Sequence, residues 1–132
     1  MSYDLSLKDF VGKHINAAYV EKGNDGVMYW LVNGEWYKLD AVGDCCSHSW
    51  YAHCDSGDVL QNATLLDFED FSKESIHENW NLIRINMLKF KTNKGYCTIE
   101  FRNSSNGYYS GWCSIIKEAP SNKDNLNELG DW

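Results

Sequence analysis

With 132 residues, 43% of them hydrophobic and 14% aromatic, the chain suits one folded domain around a single core and is not a disordered segment. Its formal charge of −7 opposes non-specific attraction to phosphate backbones and anionic membranes, which excludes ordinary DNA or RNA binding. No apolar run reaches the roughly 18 residues of a membrane span, and no basic segment followed by an apolar one opens the sequence, so a cytoplasmic protein is expected.

Ser6-Leu-Lys-Asp-Phe-Val-Gly12 reads as one short helical turn, with Ser6 as N-cap, Asp9 at the capping-box position and Gly12 closing it. A first strand follows over 14–20. Residues 27–32 and 35–39 are strands joined by Asn33-Gly34, two residues that accept the positive φ of a tight hairpin turn. A Gly43-Asp44 bend leaves this meander, and a strand resumes from about Ser47. Residues 55–60 are a turn or short helix and 63–68 another strand. From 69 to 80 the chain is polar and acidic without a clean period, which reads as a loop.

Residues 81–91 form a long strand with Ile83, Ile85 and Met87 on one face. Tyr96-Cys-Thr-Ile-Glu-Phe-Arg102 alternates, placing Cys97, Ile99 and Phe101 toward the core and Thr98, Glu100 and Arg102 toward solvent. The polar stretch Ser104-Ser-Asn-Gly107 then turns the chain into a second aromatic run from Tyr108, so a hairpin with an exposed tip is expected. In this reading 81–117 is a three-stranded antiparallel unit whose apolar face includes Ile83, Ile85, Ile99 and Phe101. Pro120 lacks a backbone donor and ends the last strand.

The whole is a mainly β (α+β) domain over 1–118, an antiparallel sheet of about seven or eight strands with one or two short helices. An acidic C-terminal tail over 119–132 follows it, flexible or forming one weak helical turn, with docking of Trp132 and the two leucines on the body as the alternative to fraying.

Asp44-Cys45-Cys46 with Trp50 shortly after, and Lys94-Gly95-Tyr96 followed by Ser104-Ser-Asn-Gly-Tyr-Tyr-Ser110, are the distinctive motifs. In these and in the order of its strands, over roughly 5–117, the chain resembles a family of small, mostly uncharacterised proteins of bacteriophages, prophages and bacteria. Ser47 stands where those relatives carry a carboxylate. The resemblance implies a β-rich fold and a viral or mobile-element source, and it carries over no reaction, cofactor or catalytic residue.

Cys45, Cys46, His48, His53 and Cys54 gather soft ligands within ten residues, but adjacent strand residues point to opposite faces and no second Cys pair completes a tetrahedron. Five cysteines, an odd number with no export signal, read as free thiols. Asp44 beside Cys45 raises a thiol pKa and so opposes a cysteine nucleophile. No catalytic residue, metal ligand or cofactor is assigned.

The candidate binding residues are Arg102, Ser104, Ser105, Asn106, Tyr108, Tyr109 and Ser110 at the tip, together with Asp44 and Trp50. Hydroxyls, amides and phenols of this kind hydrogen-bond and stack on a partner. The expected function is a non-enzymatic, phage-encoded inhibitor that binds a host protein, a defence or nucleic-acid enzyme, through an acidic and aromatic surface. A binder that sequesters a small nucleotide ligand is the alternative, and a cysteine-dependent enzyme or zinc-binding protein is a further one. Direct nucleic-acid or membrane binding is not expected, and homo-oligomerisation stays open.

Overall fold

The computed structural model describes residues 5–44, 47–78, 80–105 and 111–132. Nine strands are found among the described residues: β1 (His14–Glu21), β2 (Val27–Val32), β3 (Glu35–Gly43), β4 (His48–Asp55), β5 (Ala63–Glu78), β6 (Asn81–Thr92), β7 (Gly95–Ser105), β8 (Gly111–Lys117) and β9 (Leu126–Glu128). The short helices expected from the sequence are three 3-10 turns, Leu7–Phe10, Gly57–Leu60 and Lys123–Asn125. In the first of them the Ser6 N–H donates to Asp9 Oδ2 at 2.8 Å, as a capping box requires. Asn33 and Gly34 take φ of 49° and 78° between β2 and β3, the left-handed pair that suits the twist of a two-residue hairpin.

All pairings are antiparallel, and the hydrogen-bonded path runs β4-β7-β6-β5-β1-β2-β3-β8, with β9 on β1. The two halves of this path join through a short ladder, His14 with Thr64 and Ile15 with Ala63. They then face one another across a common core, where the Trp30 and Phe90 rings stand 5.3 Å apart. Phe10, Trp30, Tyr51 and Phe90 are fully buried, and each such ring contributes about 1.5–3 kcal/mol by leaving water. The ends of the path draw together as well: Tyr51 donates from its N–H to Asp25 O at 2.7 Å and from its hydroxyl to Leu39 O at 3.1 Å. The sheet therefore curls back on itself.

Four expectations change. Residues 69–78, read as a loop, are the outer half of β5, paired to β6 with Asp67 opposite Lys91, Glu69 opposite Lys89 and Ile76 opposite Ile83. Opposite charges across the ladder and a continuous backbone pairing hold this ribbon. Two irregularities, at Leu65/Asp67 and Lys73/Ile76, interrupt the alternation that would have announced a strand.

The hairpin expected over 94–110 is not formed, because both edges of β7 are taken, one by β6 and one by β4. β8 pairs instead along β3, from Tyr37 with Lys117 to Gly43 with Gly111.

Ile83 and Ile85 do not share a face with Ile99 and Phe101. In the β6–β7 ladder Leu88 lies opposite Ile99 and Asn86 opposite Phe101, whereas Ile83 and Ile85 lie opposite Ser104 and Arg102. Residues paired across a ladder share a face, and successive residues alternate, so the two isoleucines belong to the outer face, where their neighbours still bury them to 8% and 6% exposure. Glu100, on that same face, is only 8% exposed.

The segment 119–132, expected as a flexible tail, packs on the body. β9 pairs with Tyr19, Val20 and Glu21 of β1, Leu129 is buried in the core, and Trp132 exchanges backbone hydrogen bonds with Cys54 at 2.8 and 2.9 Å. Leu126 and Leu129 give the acidic sequence enough apolar surface to close the open edge of β1.

Candidate functional site

The two segments singled out in the sequence meet at one end of the sheet. β3 ends at Gly43 opposite Gly111 of β8, and β4 begins at His48 opposite Ser104 of β7. Both the bend after Gly43 and the connection between β7 and β8 open at this junction. Its backbones are closely apposed: a Cβ on Gly111 would lie 2.1 Å from Ser49 Oγ, 2.7 Å from Asn103 Nδ2 and 2.9 Å from Val42 O, and one on Gly43 would lie 2.2 Å from Ser47 Oγ. Ser49 Oγ donates to Val42 O at 2.9 Å and accepts from Asn103 Nδ2 at 2.9 Å. This pair ties the two ends of the hydrogen-bonded path together.

Strand alternation then divides the candidate residues between two faces. Trp50 lies opposite Arg102, so Trp50, Arg102 and Ser104 share the outer face. There the rings of His48 and Trp50 stack at 5.2 Å, and Arg102 Nε donates to Glu100 Oε2 at 2.6 Å. His53 Nε2 stands 4.0 Å from the same carboxylate oxygen. Ser105 and Asn103 are buried on the inner face. Asp44 is exposed at the bend. Asn106, Tyr108, Tyr109 and Ser110 lie outside the described residues, as do Cys45 and Cys46.

No group of three or more His, Cys, Asp or Glu side chains is placed to hold a metal among the described residues. Cys54 and Cys97 are buried with their Sγ atoms 4.0 Å apart, and the hydrogen bond with Cys54, followed by burial, pushes the Cys97 thiol up. Burial raises the Cys113 thiol from 9.0 to about 12, with the Tyr51 hydroxyl 3.2 Å away. Tyr51 is itself raised by burial and then by Cys113.

The folded protein thus keeps protons at Cys113 and Tyr51 that the unfolded chain releases. Their contribution to stability is complete below the unfolded values and is lost as the pH rises through the folded ones. Urea midpoints should therefore fall steadily from pH 9.0 toward about 12, and Cys113→Ala should flatten that alkaline decline. An unchanged slope in the variant would show that Cys113 plays no part in it.

Ser49, Asn103, Gly43 and Gly111 were missed in the sequence. The signal for Asn103 was present, since it continues the Cys97, Ile99, Phe101 face by one more step of two. A buried amide at the end of an apolar face is a candidate for a structural or binding role.

Residues 8–115 match the family described as a domain of unknown function, DUF7448. The chain belongs to that family. The matched stretch contains the whole of the junction apart from the last residues of β8, so the apposed glycines, Ser49 and Asn103 are all within the DUF7448 region, whereas β9 lies beyond it. Curated proteins and solved structures give no match.

Proposed function

We propose that this DUF7448 protein acts by binding a partner protein, through a surface that runs from the junction along the outer face of β4, β7, β6 and β5. The observation that carries this reading is the meeting of the Asp44–Trp50 and Arg102–Ser105 segments, which places Trp50, His48, Arg102 and Ser104 side by side. From there the face continues over Ile85 and Met87 to Phe71 and Ile76, which are 45% and 40% exposed. An apolar and aromatic centre with charged surroundings is the anatomy of a protein interface. On the outer half of β5, Asp67 and Glu69 lie opposite Lys91 and Lys89, with Lys73 and Glu78 further along the ribbon, so a partner surface carrying both signs of charge is favoured.

The resemblance to phage proteins supports a host protein as that partner and counter-defence inhibition as the role. Asn106, Tyr108, Tyr109 and Ser110, which follow Ser105 in the sequence, are kept as proposed contact residues on the strength of their side-chain chemistry.

The test is affinity capture from a bacterial host lysate with the parent protein and with Trp50→Ala and Tyr108→Ala variants of unchanged thermal stability. A partner held by the parent should be weakened by about 1–3 kcal/mol with each variant, as loss of an aromatic anchor usually does. A partner held equally by all three proteins would place the interface elsewhere.

A further inference from the structure

A cleft of about 240 Å³ opens on the inner side of the β5–β6 ribbon, between it and the start of β8. Phe68, Leu88 and Phe101 form its apolar floor, and Trp112, 49% exposed, stands at its rim. Asp70 and Asn86 close the other end, with Asn86 Nδ2 donating to Asp70 Oδ1 at 2.8 Å. This cleft is on the opposite face of the sheet from the surface proposed above. We infer that it is a small-ligand site for a flat, nitrogen-bearing ring with adjacent N–H donors, either uncharged or cationic.

Three features select this class. The volume lies below the roughly 300–1,000 Å³ of pockets that hold drug-sized ligands, so a single ring or a fused pair fits and a dinucleotide does not. The floor is aromatic and apolar, which favours a flat occupant. The polar end is rich in acceptors: Asn86 gives one of its two amide N–H groups to Asp70, so the carboxylate and the amide carbonyl outnumber the single N–H left to meet a ligand. Neither lysine nor arginine is among the lining residues described. Phosphate-bearing ligands are therefore disfavoured, in keeping with the net charge of −7.

Benzamidine is the direct probe, since it joins a flat ring to two parallel N–H donors, and benzoate is its control, with the same ring and only acceptors. Titration calorimetry on the intact protein should show saturable binding of benzamidine and none of benzoate. Asp70→Asn, which keeps the side-chain size but removes the charge, should weaken benzamidine at least tenfold, and Trp112→Ala should weaken it severalfold. Both residues are exposed, so the thermal midpoints of the variants should match the parent and separate lost binding from lost folding. Equal binding of benzoate, no saturable binding of benzamidine, or undiminished binding in a folded Asp70→Asn variant would each overturn the assignment.

Discussion

Phe90→Ala should destabilise the domain by about 3–5 kcal/mol, the range for truncating a fully buried ring, and leave it at or near the unfolding threshold of a small protein whose total stability is about 5–15 kcal/mol. Phe90 is completely buried and is the ring through which the two halves of the sheet meet, packing at 5.3 Å on Trp30 of β2 and at 5.2 Å on Phe68 of β5. Its loss opens a cavity bordered by strands of both halves, which cannot all close in without breaking ladders elsewhere. Phe71→Ala is the control: Phe71 is also on the β5–β6 ribbon but stands on the outer face and is 45% exposed, so its removal should cost under about 1 kcal/mol. Urea unfolding of both variants measures this directly. Similar losses at the two positions would mean that the inner and outer faces of the ribbon are misassigned.

Leu129→Ala should cost about 2–5 kcal/mol, a large effect for a residue in a segment whose composition reads as a solvated tail. Leu129 is 2% exposed, and its N–H donates to Ala18 O at 3.0 Å, so it plugs the core and extends the edge of β1 at once. Gly57 fixes how closely it can approach. A Cβ there would lie 2.7 Å from both the carbonyl carbon and Cβ of Leu129 and 2.8 Å from Gly130 N, atoms that are mostly backbone and cannot swing aside. Gly57→Ala should therefore destabilise by about 1–3 kcal/mol through overpacking. Leu129→Ala keeps all three of those atoms but loses the core anchor that holds them in place, so in that background the segment can shift away and the same glycine change should cost less than it does alone. Full additivity in that double-mutant cycle would show that the segment 126–132 contributes independently of Gly57.

Much of the fold was legible wherever a strand has one wet face and one dry face. Cys97, Ile99 and Phe101 point inward as their alternation indicated, and the Asn33-Gly34 turn announced the β2–β3 hairpin. The period fails where both faces are apolar: β6 carries Leu88 and Phe90 inward and Ile83, Ile85 and Met87 outward, so alternation cannot say which set meets the core. It fails again in the outer half of β5, whose order comes from the lysines and isoleucines of β6 across the ladder and not from its own pattern.

Partner choice was the least legible property of all. Nothing local to β8 distinguishes pairing with β7 from pairing with β3, and the decision rests on which edges other strands have already occupied. The candidate site was readable in part for the same reason. Trp50 and Arg102 were both singled out, but their adjacency is a product of the β4–β7 ladder, and the roles of Gly43, Gly111 and Ser49 depend on two strand ends that only the complete topology brings together.

The route of the hydrogen-bonded path also bears on how the protein is made. β1, β2 and β3 leave the ribosome first and can zip into a meander at once. Yet one edge of that meander is closed by β5 and β9, and the other by β8, strands that are synthesised later and in the case of β9 near the opposite end of the sequence. Contacts of this range are slow to form, and an open edge in the interval is a template for pairing with another nascent chain. Slow translation, or synthesis halted before residues 126–129 emerge, should therefore shift the yield from native protein toward aggregates, even though the finished domain covers those same edges.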